Sequence, residues 1–323
     1  MLSPRCLAVG FLSATILSTG PAIAWADDGS IVLDFVRHGE SGDMTAINTM
    51  VPGPDLTGPG EIQASDLAIA LKDSGIDEIY ASTMVRSQET AAPLIEALSS
   101  LNNGNGVPVE FLAELNEIDA GIFEGAPVNV GDLPLGGALY LLAPALWTLG
   151  LTSVPELGST DANGIVFDQR VDEAVQTIYA GSSAGDTDAV FSHEGTIAIW
   201  TLMNVKNPDF ALVLNELFTK GELLPYTGQV VVDGSPGDWT LVSWDGTPVP
   251  EDPGLATDLF VDFRSFIEVP QLAGYDIYEA FLTGNAATID SAVQLGFSQI
   301  ETAAAQFPVA AFDDIVTALG GSI

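Results

Sequence analysis

The residues best suited to chemistry in this chain are its two histidines, His38 and His193. Each directly follows a short apolar run that predicts a buried strand, and each lies beside a glycine and a glutamate. Ligands of open α/β sheets bind at the carboxyl ends of strands, so both imidazoles stand where a substrate would bind. A neutral imidazole there can attack a phosphoryl group or transfer a proton. The residue types alone leave a catalytic role and a structural role open.

Positive charge is scarce, because 44 acidic residues face 8 lysines and arginines and give a net charge of −36. Such a field repels nucleic acid and anionic lipid, so no nucleic-acid partner is expected. It also slows the approach of highly charged phosphate esters. A phosphate-handling enzyme would need its few cations concentrated at one point. Four arginines follow residue 26: Arg37, Arg86, Arg170 and Arg264.

Apolar runs and turn signals alternate along the chain in the manner of an α/β protein. Strands are predicted at 31–36, 78–81, 109–112, 189–192, 229–233 and 239–244, and helices at 60–72 and from about Met84. Because strands alternate with helices, we expect a layered fold with a mostly parallel central sheet flanked by helices. An apolar insertion and a helical C-terminal extension are expected in addition.

Five ordered motifs resemble the histidine phosphatase superfamily, in the branch that contains the cofactor-dependent phosphoglycerate mutases. They are VRHGES at 36–41, DLT at 55–57 with Gly60 and Gln63-Ala64, YASTMVRSQETA at 80–91, LNEIDAGIFEG at 115–125 and FSHEGTI at 191–197. A closing hairpin with Trp239 and Trp244 also fits. The similarity runs from about residue 31 to 245, apart from roughly 126–165.

The resemblance implies a role for each matched residue. His38 would be the nucleophile that becomes phosphorylated, and Arg37 and Arg86 would clamp the phosphate oxygens. His193 would donate a hydrogen bond to the phosphoryl group. Glu117 would protonate the leaving oxygen and then activate water. Ser41 and Glu194 are further candidates for contact with the substrate. No metal or other cofactor is implied.

The chain departs from the family pattern at several positions. Glu194 stands where the mutases usually have glycine, and an acidic residue beside the second histidine is the proton donor in the acid-phosphatase branch. Glu194 therefore competes with Glu117 for the role of general acid, and we favour Glu117. No group of lysines or arginines is evident that would hold a carboxylate or a second phosphate. Arg170 is the other nearby cation, and its spacing suggests a structural role on a helix.

The first 26 residues read as a signal peptide. Arg5 precedes an uncharged apolar stretch at 6–20, and small residues at 22–26 offer cleavage sites. A retained N-terminal anchor is the alternative. Cys6, the single cysteine, lies in this segment, so a mature chain could form no disulfide. We expect a secreted or cell-envelope protein with a catalytic domain at 27–250, an insertion at about 126–165 and a helical extension at 251–323.

Two segments fall outside the family pattern. Residues 133–155 carry no charge, and we expect an apolar cap over the site, with a buried insertion or a membrane span as alternatives. A cap would suggest a substrate with an apolar leaving group. In the C-terminal segment, apolar residues recur at helical spacing, and Gly284 and Pro308 are expected to interrupt the helices. We expect it to pack on the main domain, and contact of either segment with an envelope or lipid surface is the alternative.

Together these features predict an exported, acid-phosphatase-like phosphomonoesterase that acts on a small-molecule phosphate ester through a phosphohistidine. The alternatives are a phosphoglycerate mutase-type isomerase and a non-catalytic envelope protein that retains the fold. Export places the protein away from glycolysis, and the cations for a second phosphate are missing, so the isomerase is the less favoured of the two enzymes. The sequence does not indicate an oligomeric state.

Overall fold

The computed structural model describes residues 29–42, 45–101, 106–129 and 135–320. The predicted signal peptide therefore lies outside the described residues. A seven-stranded sheet forms the centre, in the order β3-β2-β4-β1-β5-β6-β7. Its strands are β1 (Ile31–Arg37), β2 (Glu78–Ser82), β3 (Val109–Leu112), β4 (Thr187–Ser192), β5 (Gln229–Ser235), β6 (Asp238–Trp244) and β7 (Thr247–Pro248).

The sheet is mixed. The four strands β1 to β4 are parallel, and β5, β6 and β7 extend the β1 edge as an antiparallel ribbon. β1 is apolar along most of its length because both its faces are covered, as is typical of strands in the middle of a parallel sheet. All six predicted strands are present, and the closing hairpin is β5–β6.

Helices cover both faces of the sheet. They are α1 (Gly58–Leu71), α2 (Val85–Leu101), α3 (Leu135–Tyr140), α4 (Leu142–Trp147), α5 (Gly164–Gly181), α6 (Glu194–Asn204), α7 (Phe210–Lys220), α8 (Leu255–Leu282) and α9 (Ala286–Ala318). Side chains of α1 and α2, such as Leu67 and Leu94, pack on one face against Ile79 and Phe191. Side chains of α5 and α6 pack on the other face, where Val171 and Trp200 meet strand residues.

Helix ends follow local capping rules. Thr57 caps α1 by accepting a hydrogen bond from the Gly60 N–H at 3.2 Å, and Pro59 follows at the first turn. Asn163 caps α5 in the same way through the Val166 N–H at 3.0 Å. Gly221 ends α7 with a φ of +82°, a conformation that glycine adopts without steric penalty.

The apolar segment after residue 133, where we expected a cap, lies partly in the core and partly at the surface. Its described part forms α3 and α4, whose Tyr140, Ala143 and Trp147 are buried in the main hydrophobic cluster. Trp147 stacks on Phe167 of α5 with ring centroids 5.6 Å apart. Within the described ranges, no helix combines the length and the apolar character that crossing a membrane requires. Leu135, Leu139 and Leu142 are exposed, so the segment packs on the core through one side only.

The C-terminal helices form a hairpin that is joined to the rest of the protein through α8. Arg264 is buried and donates a hydrogen bond to the carbonyl of Val205 at 3.1 Å, and Gln271 donates to the carbonyl of Gly150 at 2.6 Å. Phe266 of α8 and Phe307 of α9 stack with ring centroids 4.9 Å apart. Gly284 separates the helices as expected, but α9 continues through Pro308.

Candidate active site

Four parallel strands each bring one expected catalytic residue to the same edge of the sheet. His38 directly follows β1 and His193 directly follows β4, and these strands pair in parallel with Arg37 opposite Ser192. The two imidazole centroids are 5.1 Å apart. Arg86 lies in the first turn of α2, after β2, and Glu117 lies in the loop after β3. The fold thus assembles residues that are far apart in sequence.

Hydrogen bonds fix the tautomer of His38. Arg86 donates from Nε to His38 Nε2 at 2.9 Å, and His38 Nδ1 lies 2.7 Å from the carbonyl of Gly39. A guanidinium can only donate, so Nε2 must be the unprotonated nitrogen and Nδ1 must carry the hydrogen. Burial, reinforced by Arg86 and Arg37, holds the pKa of His38 well below its ordinary value of 6.5. The ring is therefore neutral, with a lone pair on Nε2.

Three buried nitrogens of neighbouring residues have no hydrogen-bond partner in the described structure. They are Arg37 Nε, Arg86 Nη1 and His193 Nδ1. The Ser82 hydroxyl lies 2.8 Å from His193 Nε2, and if it donates there the imidazole hydrogen belongs on Nδ1. Buried donors are almost always satisfied in native proteins, so the unpartnered nitrogens of the two guanidiniums, joined by His193 Nδ1 when it carries the hydrogen, indicate a site for an acceptor-rich anion.

Carboxylates already engage Arg37, which the family resemblance did not indicate. Its guanidinium forms ion pairs with Glu194 at 3.1 Å and with Glu222 at 2.9 Å. It also donates to the carbonyl of Leu224 and lies over the ring of Tyr226, 4.2 Å from the ring centroid. A phosphate that binds Arg37 must therefore share it with two negative charges.

The two candidates for the general acid have different surroundings. Glu117 Oε1 accepts from the Thr196 N–H at 2.9 Å and from its own neighbour Ile118 at 3.0 Å, whereas Oε2 receives only a long contact of 3.3 Å from the Gly195 N–H. Both oxygens of Glu194 are engaged, Oε1 by the Leu223 N–H at 2.6 Å and Oε2 by Arg37. Burial raises the pKa of Glu194 although Arg37 opposes this shift.

A cavity of about 410 Å³ lies beside Glu117. Its lining residues are Thr49, Met50, Val51, Ala113, Asn116, Glu117, Asp119, Gly121, Glu124, Gly158, Thr160, Asp161 and Arg170. None of them belongs to α3 or α4, so the expected link between the apolar insertion and an apolar leaving group is not supported.

Across the described ranges, no group of three or more histidine, cysteine and carboxylate side chains is arranged to hold a metal ion.

Two other predicted residues have structural surroundings. Arg170, on α5, donates to Asp161 at 2.7 Å and to the carbonyl of Asn116 at 3.0 Å, so it braces the loop that carries Glu117, in agreement with the structural role expected for it. Ser41 is buried and its backbone bridges to Leu56. The described contacts do not join its side chain to His38, and its expected role in substrate binding stays a prediction.

Sequence reasoning missed Ser82, Glu222 and Tyr226. Ser82 ends β2 within a matched motif, so its approach to His193 could have been inferred from the pairing of β2 with β4. Glu222 and Tyr226 precede β5, which joins the sheet next to β1. Their proximity to Arg37 depends on that strand order, and no local pattern in the sequence indicates it.

Comparison with known proteins agrees with this arrangement. The family described as "Histidine phosphatase superfamily (branch 1)" matches residues 33–245. The chain is 45% identical over 305 residues to PE-PGRS family protein PE_PGRS11 of Mycobacterium tuberculosis (strain ATCC 25618 / H37Rv), which covers 90% of this chain and 49% of that protein. This chain thus spans about half the length of that curated relative. The 90% coverage exceeds the share of the chain before α8, so the match includes part of the C-terminal hairpin.

Solved structures share the fold at low sequence identity. "Mycobacterial hydrolase 1" superposes with a TM-score of 0.50 at 19% identity, over 68% of this chain and 99% of that one. A mycobacterial glucosyl-3-phosphoglycerate phosphatase gives a TM-score of 0.49 at 18% identity, over 68% of this chain and 100% of that one. The catalytic sheet, the ordered motifs and the matched family span lead to one conclusion: this chain belongs to branch 1 of the histidine phosphatase superfamily.

Proposed function

We propose that the protein is an exported phosphatase that hydrolyses phosphomonoesters through a phosphohistidine on Nε2 of His38. The observation that carries the proposal is the buried, unprotonated Nε2 of His38, 2.9 Å from Arg86 Nε, together with the unpartnered nitrogens of Arg37, Arg86 and His193. A phosphoryl group at Nε2 would offer three oxygens to those donors. Preorganised donors of this kind stabilise charge that develops in a transition state.

In the first step, His38 Nε2 attacks phosphorus, a P–N bond forms and the P–O bond to the alcohol breaks. Glu117 acts as the general acid and gives a proton to the departing oxygen. Its position on the cavity wall, with Oε2 lightly engaged, supports this assignment over Glu194. Arg37, Arg86 and His193 hold the phosphoryl oxygens.

In the second step, water attacks the phosphoryl group and Glu117, now a carboxylate, accepts a proton from that water. The P–N bond breaks, inorganic phosphate leaves and His38 regains its neutral form. Hydrolysis is favoured over transfer to a second substrate hydroxyl because Arg170 and Arg37 are already paired with carboxylates. No free cation near the cavity is evident, within the described ranges, that would hold the carboxylate of a phosphoglycerate.

The export part of the proposal is supported by the composition of residues 1–26, an apolar stretch followed by small residues. N-terminal sequencing of protein recovered outside an expressing cell should give a start near Asp27. An intact Met1 on cytoplasmic protein would contradict export and strengthen the isomerase alternative.

Rapid-quench trapping with a ³²P-labelled ester tests the chemistry. We expect acid-labile, base-stable label on His38, and free phosphate as the product. His38→Ala should lose the label and the turnover together. Label that passes from the enzyme to 3-phosphoglycerate, and not to water, would identify a mutase. If the wild-type protein takes up no label and its turnover equals that of His38→Ala, the non-catalytic alternative is favoured.

A further inference from the structure

The cavity beside Glu117 has a charge pattern that selects the alcohol half of the substrate. We propose that it binds alcohols that bear hydrogen-bond donors and no anionic group, and that a cationic alcohol such as an amino alcohol is preferred. This inference rests on the proposed phosphatase function, because it concerns the group that leaves when His38 attacks phosphorus.

The position of the cavity links it to the phosphoryl site. Glu117 forms part of the wall, and the proposed proton donor must face the departing oxygen. The loop that contributes Met50 and Val51 to the wall continues to Gly53, where a Cβ would lie 2.6 Å from Arg86 Nη1. The cavity therefore lies beside Glu117 and near the loop that approaches Arg86, and an ester with its phosphoryl group at His38 would extend its alcohol past Glu117 into this space.

Besides the proposed acid Glu117, the wall carries three carboxylates and a single guanidinium: Asp119, Glu124 and Asp161 against Arg170. Arg170 is engaged by Asp161 through both Nε and Nη2, at 2.7 and 3.0 Å. Its Nη1 donates to the carbonyls of Glu114 and Asn116. This cation is therefore already used to brace the protein, and the net field in the cavity is negative.

One carboxylate oxygen is left for a ligand. Glu124 uses Oε2 to accept from the Thr49 N–H at 2.9 Å and the Thr49 hydroxyl at 2.8 Å, and no described residue donates to its Oε1. An ammonium or hydroxyl hydrogen satisfies such an acceptor, whereas a carboxylate or second phosphate would face it without a counter-charge.

Asp119 contributes negative charge without offering free acceptors. Burial opposes its ionisation, but hydrogen bonds from the Gly121 and Thr160 N–H groups and the Thr160 hydroxyl hold its pKa below the ordinary value. It is a fixed anion in the wall. A cationic alcohol is attracted by this field, and an anionic alcohol is repelled by it.

Three esters of two-carbon alcohols separate charge from size: O-phosphoethanolamine, ethylene glycol monophosphate and 2-phosphoglycolate. We expect kcat/KM of the wild-type protein to fall in that order, with the cationic ester at least about tenfold above the anionic one. Equal values for the three esters, or the reverse order, would overturn the inference. This series needs no variant, so it holds even if a substitution impairs folding.

Glu124→Gln is the matched variant, because its amide oxygen can still accept from Thr49 while the charge is removed. The ratio of kcat/KM for the cationic ester to that for the anionic ester should fall by about three- to tenfold. Comparing ratios cancels the intrinsic reactivity of each ester. Asp73→Asn removes a carboxylate whose side chain is 75% exposed and should leave the ratio unchanged. Equal changes in both variants would assign the effect to net charge and refute a role for the cavity.

Hydrolysis of para-nitrophenyl phosphate distinguishes failure of the proposed phosphatase function from failure of the inference about the cavity. If it is not hydrolysed and no phosphohistidine is trapped, the proposed phosphatase function is wrong. If it is hydrolysed through His38 while 2-phosphoglycolate is the preferred two-carbon ester, the phosphatase function stands and the inference about the cavity is wrong.

Discussion

Arg86 donates its Nε hydrogen to Nε2 of His38 at 2.9 Å, so the expected phosphate clamp and the expected nucleophile are already in contact. The bond orients the ring and keeps a proton off Nε2. When phosphorus bonds to Nε2, that nitrogen can no longer accept, and Arg86 Nε becomes free to donate to a phosphoryl oxygen. The same guanidinium therefore prepares the nucleophile and then stabilises the product of its attack.

The position of Arg86 gives the first prediction, at Gly53. An alanine Cβ there would lie 2.6 Å from Arg86 Nη1, in a residue with a φ of +73°. The guanidinium must move, and displacements near 1 Å at a catalytic group can reduce rates by about 10²-fold. We expect Gly53→Ala to lower kcat/KM by about 10- to 100-fold.

Gly75→Ala is the control for this experiment. Its φ of +76° imposes a similar backbone strain, but a Cβ at that position meets no atom within 4 Å. Thermal melts should show comparable losses of stability, whereas activity should fall only in Gly53→Ala. A loss of activity shared by both variants would show that strain, and not the position of Arg86, matters.

The second prediction assigns the general acid. Glu117→Gln should reduce kcat by about 10²–10⁴-fold for esters with poor leaving groups and far less for para-nitrophenyl phosphate, because a good leaving group departs without a proton. Glu194→Gln should reduce kcat by a similar factor for both kinds of ester, since Glu194 positions Arg37. The assignment is reversed if Glu194→Gln alone shows the dependence on the leaving group.

The third prediction concerns competition for Arg37. Glu222 forms its ion pair at 2.9 Å and its side chain is 36% exposed, so the pair contributes little to stability, on the order of 1 kcal/mol or less. Glu222→Gln removes a negative charge that competes with phosphate. We expect inorganic phosphate to inhibit this variant about three- to tenfold more strongly than wild type.

Asp238→Asn disrupts a more exposed ion pair, with Lys206 at 3.2 Å, and should leave phosphate inhibition unchanged. Weaker inhibition in Glu222→Gln would mean that Glu222 holds Arg37 in its working position.

The fourth prediction is a pH dependence of stability at Asp34, in the middle of β1. Burial raises its pKa to about 7 despite a hydrogen bond from Gln229, and its Oδ1 has no partner. Between about pH 4 and pH 7 the folded protein keeps a proton that the unfolded chain releases, so Asp34 lowers stability progressively as pH rises. Asp34→Asn stays neutral and keeps an oxygen for Gln229.

Urea unfolding at pH 4.5 and pH 8 measures this effect. The free energy of unfolding of Asp34→Asn should exceed that of wild type by up to about 4 kcal/mol at pH 8 and by only about 1 kcal/mol at pH 4.5. The exposed Asp73→Asn should show no such difference. A gain of equal size at both pH values would mean that the titration of Asp34 is not the cause.

The sheet could be predicted because its strands depend on local signals, whereas the roles of Arg86 and Glu117 came from the family resemblance and stay predictions. Apolar runs define the strands, and the parallel pairing of β1 with β4 brings His38 and His193 together once both follow strand ends. What could not be predicted depends on long-range packing. Glu222 approaches Arg37 only because β5 joins the sheet beside β1, and the segment around Tyr140 is apolar because it enters the core.

Pro308 shows a related difference between local signals and tertiary structure. A proline inside a helix removes one backbone hydrogen bond and usually ends or bends the helix. Here the preceding residue, Phe307, stacks on Phe266 of α8, and the helix continues along its partner. Packing between the two helices therefore overrides the local preference.

The order of the strands also has a consequence for the chain while it is being made. β1 is finished at Arg37, but its two neighbours in the sheet begin only at Thr187 and Gln229. At about 5–20 residues per second, an apolar strand would wait roughly 10 to 30 s on the ribosome without a partner, which invites aggregation. In the unfolded chain Asp34 is ionised at neutral pH, and a charge in the middle of such a segment acts as a gatekeeper against self-association. The carboxylate that weakens the finished sheet thus protects the same strand before the sheet exists.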